Sequence, residues 1–203
     1  MPQQYFITGI GTGIGKTITS AVLTEKLKAD YWKPIQSGDL AQSDSLAIEG
    51  LISNQKTKIH PELYRLNQPL SPHLSAKLDG IEIELDKFIL PETENNLIVE
   101  GAGGLMVPLN GKELILDLIK HLNIPVIVVS QNYLGSINHT LLTINTLKQH
   151  QITIKGIIFN GDTNLESEDY ILKYTSVKHL GNIPTLKQLD AANIENAGKN
   201  LNL

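Results

Sequence analysis

Apolar residues fall along this chain in two rhythms. Tyr5-Phe6-Ile7-Thr8, Asn96-Leu97-Ile98-Val99, Pro125 to Ser130 and Ile152 to Asn160 are apolar nearly throughout, and such runs predict strands buried on both faces. Elsewhere apolar positions recur every three or four residues, which predicts amphipathic helices. From Lys16 to Lys28, Ile18, Ala21, Val22, Leu23 and Leu27 form a stripe that Glu25, Lys26 and Lys28 avoid. Further helices are expected from Ser43, a suitable N-cap, to Ile52, from Leu114 to Leu122 and from Ser136 to His150. A short strand over Tyr31 to Ile35 is closed by Pro34 and Gly38. Residues 54–79 read as irregular, with turns at Pro61, Pro69 and Pro72. The tail carries a helix from Glu166, a short strand over Leu180 to Ile183 and a last helix starting around Leu186.

Buried strands separated by helices predict an α/β fold: a single doubly wound, mostly parallel sheet with helices on both faces. No repeat, low-complexity tract or linker interrupts residues 1–203, so one domain is expected. Ligands in such folds bind at the carboxyl ends of the strands, which narrows the search for chemistry to a few segments.

The first of those segments is Gly9-Ile10-Gly11-Thr12-Gly13-Ile14-Gly15-Lys16-Thr17. A strand, a loop with alternate glycines and a Lys-Thr pair opening a helix is the construction by which backbone N–H groups wrap a polyphosphate, as in P-loop NTPases. The common loop has four residues between its first glycine and the Gly-Lys pair; here Gly9 and Gly15 are separated by five, so the loop is one residue long or a variant. The dinucleotide pattern Gly-x-Gly-x-x-Gly fails in register, because position 14 is Ile when counted from Gly9 and position 16 is Lys when counted from Gly11.

Composition changes this picture little. The net charge is −4 and the lysines are scattered, so neither a nucleic-acid nor a membrane partner is expected. Zero cysteines exclude disulfides, thiolate metal sites and a Cys nucleophile. No leader precedes the first strand, and no apolar run approaches the roughly 20 residues of a membrane span, so a cytoplasmic location is the expectation. A single arginine, Arg65, leaves lysines, backbone amides and Mg²⁺ to neutralise phosphate charge.

The remaining strand ends supply candidates. Glu100, ending the run Leu97-Ile98-Val99, is placed to bind the Mg²⁺ of a nucleotide. Glycines 101, 103 and 104 after it admit a ligand to the backbone. Lys33, within Tyr-Trp-Lys-Pro-Ile, would be costly in a sheet interior unless it faced an anion. Ser37, Asp39 and Asp44 follow it, Ser130 to His139 follows the fourth candidate strand, and Asn160-Gly161-Asp162 follows the fifth. None of the six histidines, His73 included, has convincing metal-ligand spacing.

Taken in order, Gly9-x-x-Thr12-x-x-Gly15-Lys16-Thr17, Trp32-Lys33-Pro34-Ile35-Gln36-Ser37-Gly38, Ser43-Asp44, Ser71-Pro72-His73, Val99-Glu100-Gly101-Ala102-Gly103-Gly104, Leu134-Gly135-Ser136-Ile137-Asn138-His139 and Gly181-Asn182-Ile183-Pro184 resemble the dethiobiotin synthetase family. The resemblance runs from the first strand to about residue 186, and the five-residue gap is that family's own variant. It implies an ATP- and Mg²⁺-dependent ligase that closes a cyclic urea on 7,8-diaminopelargonate with CO₂. It implies that Gly13, Ile14, Gly15, Lys16, Thr17, Glu100, Gly101 and Asn160 surround the nucleotide, with Thr17, Asp44 and Glu100 on the metal. Thr12, Lys16, Lys33 and Ser37 would be catalytic. Ser37, Gly104 and Pro72 would meet the reacting end of the diamine, and Leu134, Gly135, Ser136 and Asn138 its distal carboxylate, from the neighbouring subunit of a homodimer. Gly11 and Gly13 depart from the side-chain-bearing residues usual in that loop. A rival is a partitioning or site-selection ATPase switch; those proteins carry an extra lysine where this chain has Gly11. A second rival, an amidoligase with a glutaminase domain, would need a cysteine nucleophile.

Overall fold

The computed structural model describes residues 2–203. The chain runs β1 (Gln4–Gly9), α1 (Lys16–Leu27), β2 (Asp30–Trp32), β3 (Ile35–Ser37), α2 (Asp44–Leu51), β4 (Ile59–His60), β5 (Tyr64–Leu66) and α3 (Pro72–Asp79). It continues through β6 (Leu97–Glu100), α4 (Ile115–Leu122), β7 (Val126–Gln131), α5 (Ser136–Gln149), β8 (Ile154–Asn160), α6 (Leu165–Thr175), β9 (His179–Ile183) and α7 (Ala191–Gly198). Seven strands form one sheet in the order β4-β2-β6-β1-β7-β8-β9, and every pairing in it is parallel.

The strands are apolar throughout because both faces are covered. Phe6, Leu97, Val99, Val126, Val128, Ile157 and Phe159 point to one side and pack with Leu116 and Ile119 of α4, Ile144 and Leu147 of α5 and Ile171 of α6. Tyr5, Ile7, Tyr31, Ile98, Ile127, Val129 and Ile158 point to the other and pack with Ala21 to Leu23 of α1, Ile48 of α2 and Ile194 of α7. The alternation follows from the two-residue period of a strand. Each fully buried side chain of this size contributes about 1.5–3 kcal/mol before entropy is counted.

Three expectations need correction. The strand over residues 31–35 stops at Trp32, since Pro34 has no N–H for the ladder and its carbonyl instead accepts from the amides of Leu63 and Tyr64, both at 3.0 Å. The chain thereby leaves the main sheet, and β3 pairs with β5 in a separate two-stranded ribbon. Residues 54–79 are not irregular: they hold β4, β5 and α3, strands too short to show a period and a helix that begins at the very Pro72 read as a turn. The last helix starts at Ala191 rather than Leu186, where the Asp190 side chain accepts from the Asn193 amide at 2.8 Å and so caps it. Among the described residues no helix is long and apolar enough to cross a membrane.

Candidate active site

The central strand, β1, runs directly into the loop, and Gly15, at φ 88°, turns the chain into α1. That backbone geometry is one that L side chains rarely adopt. A Cβ on Gly15 would also lie 2.1 Å from the Asn160 amide nitrogen, so that side chain would have to move. Gly9 is similarly confined, its Cβ position lying 2.6 Å from Ile14. Gly11 and Gly13, by contrast, border open space. Lys16 curls back so that Nζ donates to the Gly11 carbonyl at 2.8 Å. Burial of its ammonium outweighs the attraction of Glu100 and lowers its pKa to about 8.

Strand register assembles the next layer. Tyr31 stands opposite Ile98 and Trp32 opposite Val99, which brings Lys33, one residue on, beside Glu100. Lys33 Nζ lies 3.0 Å from Glu100 Oε1 and 2.6 Å from Asp44 Oδ2, and it also donates to the Gly101 carbonyl at 3.3 Å. Lys33 is 5% exposed and Glu100 1%. Burial alone would lower the Lys33 pKa; Glu100 and Asp44 outweigh it and raise the value above the ordinary lysine range. Lys33 is therefore a fixed cation, not a base. Asp44 titrates below its ordinary range, because Lys33 foremost overcomes the cost of its burial.

The Thr17 hydroxyl sits between these carboxylates, 2.9 Å from Asp44 Oδ1 and 3.0 Å from Glu100 Oε1. A hydroxyl has one hydrogen to donate, so one of the two contacts brings oxygen lone pairs together without a proton. Two carboxylates and a hydroxyl are hard oxygen donors, which suit a divalent cation that keeps waters and phosphates as its other ligands. Among the described residues no three His, Cys, Asp or Glu side chains converge as an all-protein cage.

Thr12, Gly13, Gly15, Lys16, Thr17, Lys33, Ser37, Asp44, Pro72 and Glu100 line one cavity of about 820 Å³. Asp39 lines it as well. Ile14 is buried beneath the loop, and its carbonyl accepts from the Asn160 amide at 3.2 Å. Gly101 lies behind Glu100, where a Cβ would meet the Phe6 ring at 2.7 Å. Gly104 faces a neighbouring groove of about 390 Å³, which shares Thr12 and Val107 with the first and is walled by Met106, His139 and Leu142. Leu134, Gly135, Ser136 and Asn138 stand at the amino end of α5, outside the lining of either space. Leu134 is wholly exposed there. His73 is an exposed residue of α3 whose Nδ1 lies 3.0 Å from the Ser71 hydroxyl.

A family model described as an AAA domain matches residues 3–193. The ATP-dependent dethiobiotin synthetase BioD of Christiangramia forsetii is 54% identical over 183 residues, 90% of this chain and 88% of that protein. That of Cytophaga hutchinsonii is 52% identical over 179 residues, 88% of this chain and 86% of that protein. The chain belongs to the dethiobiotin synthetase family. It is an enzyme, a ligase that forms carbon–nitrogen bonds, and it uses ATP. More distant solved structures share the fold alone. The septum site-determining protein MinD complexed with Mg-ADP from Pyrococcus horikoshii has a TM-score of 0.60 at 15% identity, covering 98% of this chain and 95% of that one. A ParA family ATPase from Chlorobium tepidum has 0.53 at 14%, covering 98% and 99%.

Two side chains at the site of this dethiobiotin synthetase family member escaped sequence reasoning. Gln36 accepts from the Asp44 amide at 3.2 Å and donates to the Gly38 carbonyl at 3.0 Å, tying the start of α2 to the ribbon. Tyr31 donates from its hydroxyl to Glu100 Oε2 at 3.0 Å. A signal for Tyr31 was present, since residues two apart in a strand share a face and Lys33 had already been singled out.

Proposed function

We propose that this chain carboxylates 7,8-diaminopelargonate with CO₂ and closes the ring at the expense of ATP, giving dethiobiotin, ADP and phosphate. The observation that carries this reading is the convergence of Lys16 and Thr17 with Lys33, Ser37, Pro72 and Glu100 in one cavity, in a chain whose relatives bear that enzyme's name. One substrate amine adds CO₂ and releases a proton to solvent to form a carbamate. A carbamate oxygen attacks the γ-phosphorus and ADP departs. The second amine attacks the carbonyl carbon of the mixed anhydride, phosphate leaves, and the amine's proton passes to solvent. These steps need charge stabilisation and alignment more than proton transfer by side chains, which suits a buried, permanently charged Lys33.

In this reading the amides of Gly13, Ile14 and Gly15 hold the phosphates, Lys16 bridges the β- and γ-groups, and Asn160 and Gly101 flank the nucleotide. Thr12 and Lys33 address the γ-phosphate and carbamate, and Ser37 orients the carbamate. Thr17, Asp44 and Glu100 would hold Mg²⁺, which when bound offsets the negative charge of the transferring phosphoryl group. Gly104 and Pro72 lie along the diamine. Leu134, Gly135, Ser136 and Asn138 would receive its distal carboxylate across the interface of a homodimer, where the amino end of α5 favours an anion. The protein would work as one cytoplasmic P-loop domain over residues 1–203.

Phosphate release from ATP should depend jointly on the diamine, bicarbonate and Mg²⁺, as followed by a coupled phosphate assay. Hydrolysis equally fast without diamine would instead favour a nucleotide switch. A pH dependence follows from Lys16. Its charged form pairs with phosphate, and a bound triphosphate raises its pKa from about 8. Affinity for a non-hydrolysable ATP analogue should therefore be full below about pH 8 and fall as pH rises above it, by up to about tenfold per unit. Equal dissociation constants at pH 7.5 and 9.5 by titration calorimetry would exclude this.

A further inference from the structure

Glu100 uses its two oxygens differently. Oε1 lies 3.0 Å from both the Thr17 hydroxyl and Lys33 Nζ, residues that line the cavity. Oε2 receives the Tyr31 hydroxyl at 3.0 Å. Tyr31 is fully buried in the core beneath α1 and α2. The register makes the two residues diagonal neighbours on one face, since Tyr31 stands opposite Ile98 and Glu100 lies two residues beyond Ile98 on the same strand. Diagonal positions in a sheet are about 7–8 Å apart, a gap that only long side chains close. A buried carboxylate oxygen without a donor is costly, and a buried phenol also requires a partner, so each side chain satisfies the other.

We propose that Tyr31 is a positioning residue for the metal site: its hydroxyl holds Glu100 Oε2 from below and thereby turns Oε1 to the Thr17 side, so that Glu100 offers the divalent cation one oxygen in a fixed direction. The inference rests on the assignment of Thr17, Asp44 and Glu100 to the cation made above. Tyr31 does not line the cavity. It acts through Glu100, as outer partners of metal-ligating carboxylates do.

The test uses Mn²⁺ as the probe, with free Mn²⁺ read by electron paramagnetic resonance in the presence of saturating ADP. Tyr31→Phe keeps the ring and removes only the hydroxyl. It should weaken Mn²⁺ binding by about tenfold, while ADP affinity measured in chelator, without divalent metal, stays at the wild-type value. Glu100→Gln supplies the second arm. In that background Tyr31→Phe should have no further effect on Mn²⁺ affinity, because its route to the metal has been removed. Mn²⁺ affinity of Tyr31→Phe within twofold of wild type, or equal losses with and without the Glu100 carboxylate, would overturn the proposal. If Glu100→Gln itself binds Mn²⁺ as wild type does, the metal assignment fails instead, and the two failures are thereby told apart.

Discussion

Replacing Lys33 by alanine should lower turnover by about 10²–10³-fold while leaving ADP affinity nearly unchanged. The ammonium lies 2.6 Å from Asp44 and 3.0 Å from Glu100, and both carboxylates border the cavity that holds Thr12 and Ser37. Its raised pKa keeps it charged, so in the proposed reaction its expected contribution is to hold developing negative charge. Stability should suffer as well. Removing one member of a buried ion pair costs about 3–5 kcal/mol, and the lower end applies because the Asp44 side chain is 30% exposed. Mg²⁺ with ADP should recover part of that loss, since a cation again faces the two carboxylates. Chemical denaturation with and without Mg·ADP, beside single-turnover kinetics, measures both effects. Lost ADP affinity with unchanged turnover of the bound complex would place Lys33 away from the reacting atoms.

Gly15→Ala should weaken ADP binding by about 100-fold. A non-glycine residue in the left-handed region costs about 1–2 kcal/mol, and here φ is 88°. The added Cβ would lie 2.1 Å from Asn160 Nδ2, so either the loop shifts or Asn160 swings away and gives up its bond to the Ile14 carbonyl. A lost hydrogen bond adds about 1 kcal/mol, and the sum is near the 2.7 kcal/mol that a 100-fold change represents. Gly11→Ala is the control. A Cβ there meets nothing within 4 Å, and Gly11 is not among the positive-φ glycines, so its ADP affinity should stay within about twofold of wild type. Calorimetric titration of both variants decides the point; equal losses would mean that bulk anywhere in the loop, not the Gly15 geometry, controls binding.

The same contrast shows how much of the loop was legible in advance. Alternate glycines and Lys16-Thr17 announce a phosphate cradle in the sequence. Which glycines are required by packing does not, because the obstructing groups are Ile14 within the loop and Asn160, which arrives from β8 about 145 residues later. Irregular spans were the least legible. Residues 54–79 conceal β4, β5 and α3, whose lengths of two, three and eight residues fall short of the roughly four residues over which strand alternation shows and the roughly eleven over which helical periodicity shows. The break at Pro34 was visible; that the chain would then pair β3 with β5 was not, since strand partners are set by contacts across the fold.

The sequence by itself determined the layered α/β class, the place of the phosphate loop and the residue types of the site, because buried strands, amphipathic helices and a Gly-rich turn are local consequences of side-chain size, polarity and backbone freedom. Only the tertiary structure decided that Lys33 bridges Asp44 and Glu100, that Tyr31 holds the far oxygen of Glu100, and that Leu134 to Asn138 stand apart from the cavity within one chain. Those facts depend on parallel register between strands that are distant in sequence, β2 beside β6 and β6 beside β1. Register is set by the whole buried pattern of both faces and not by any one segment.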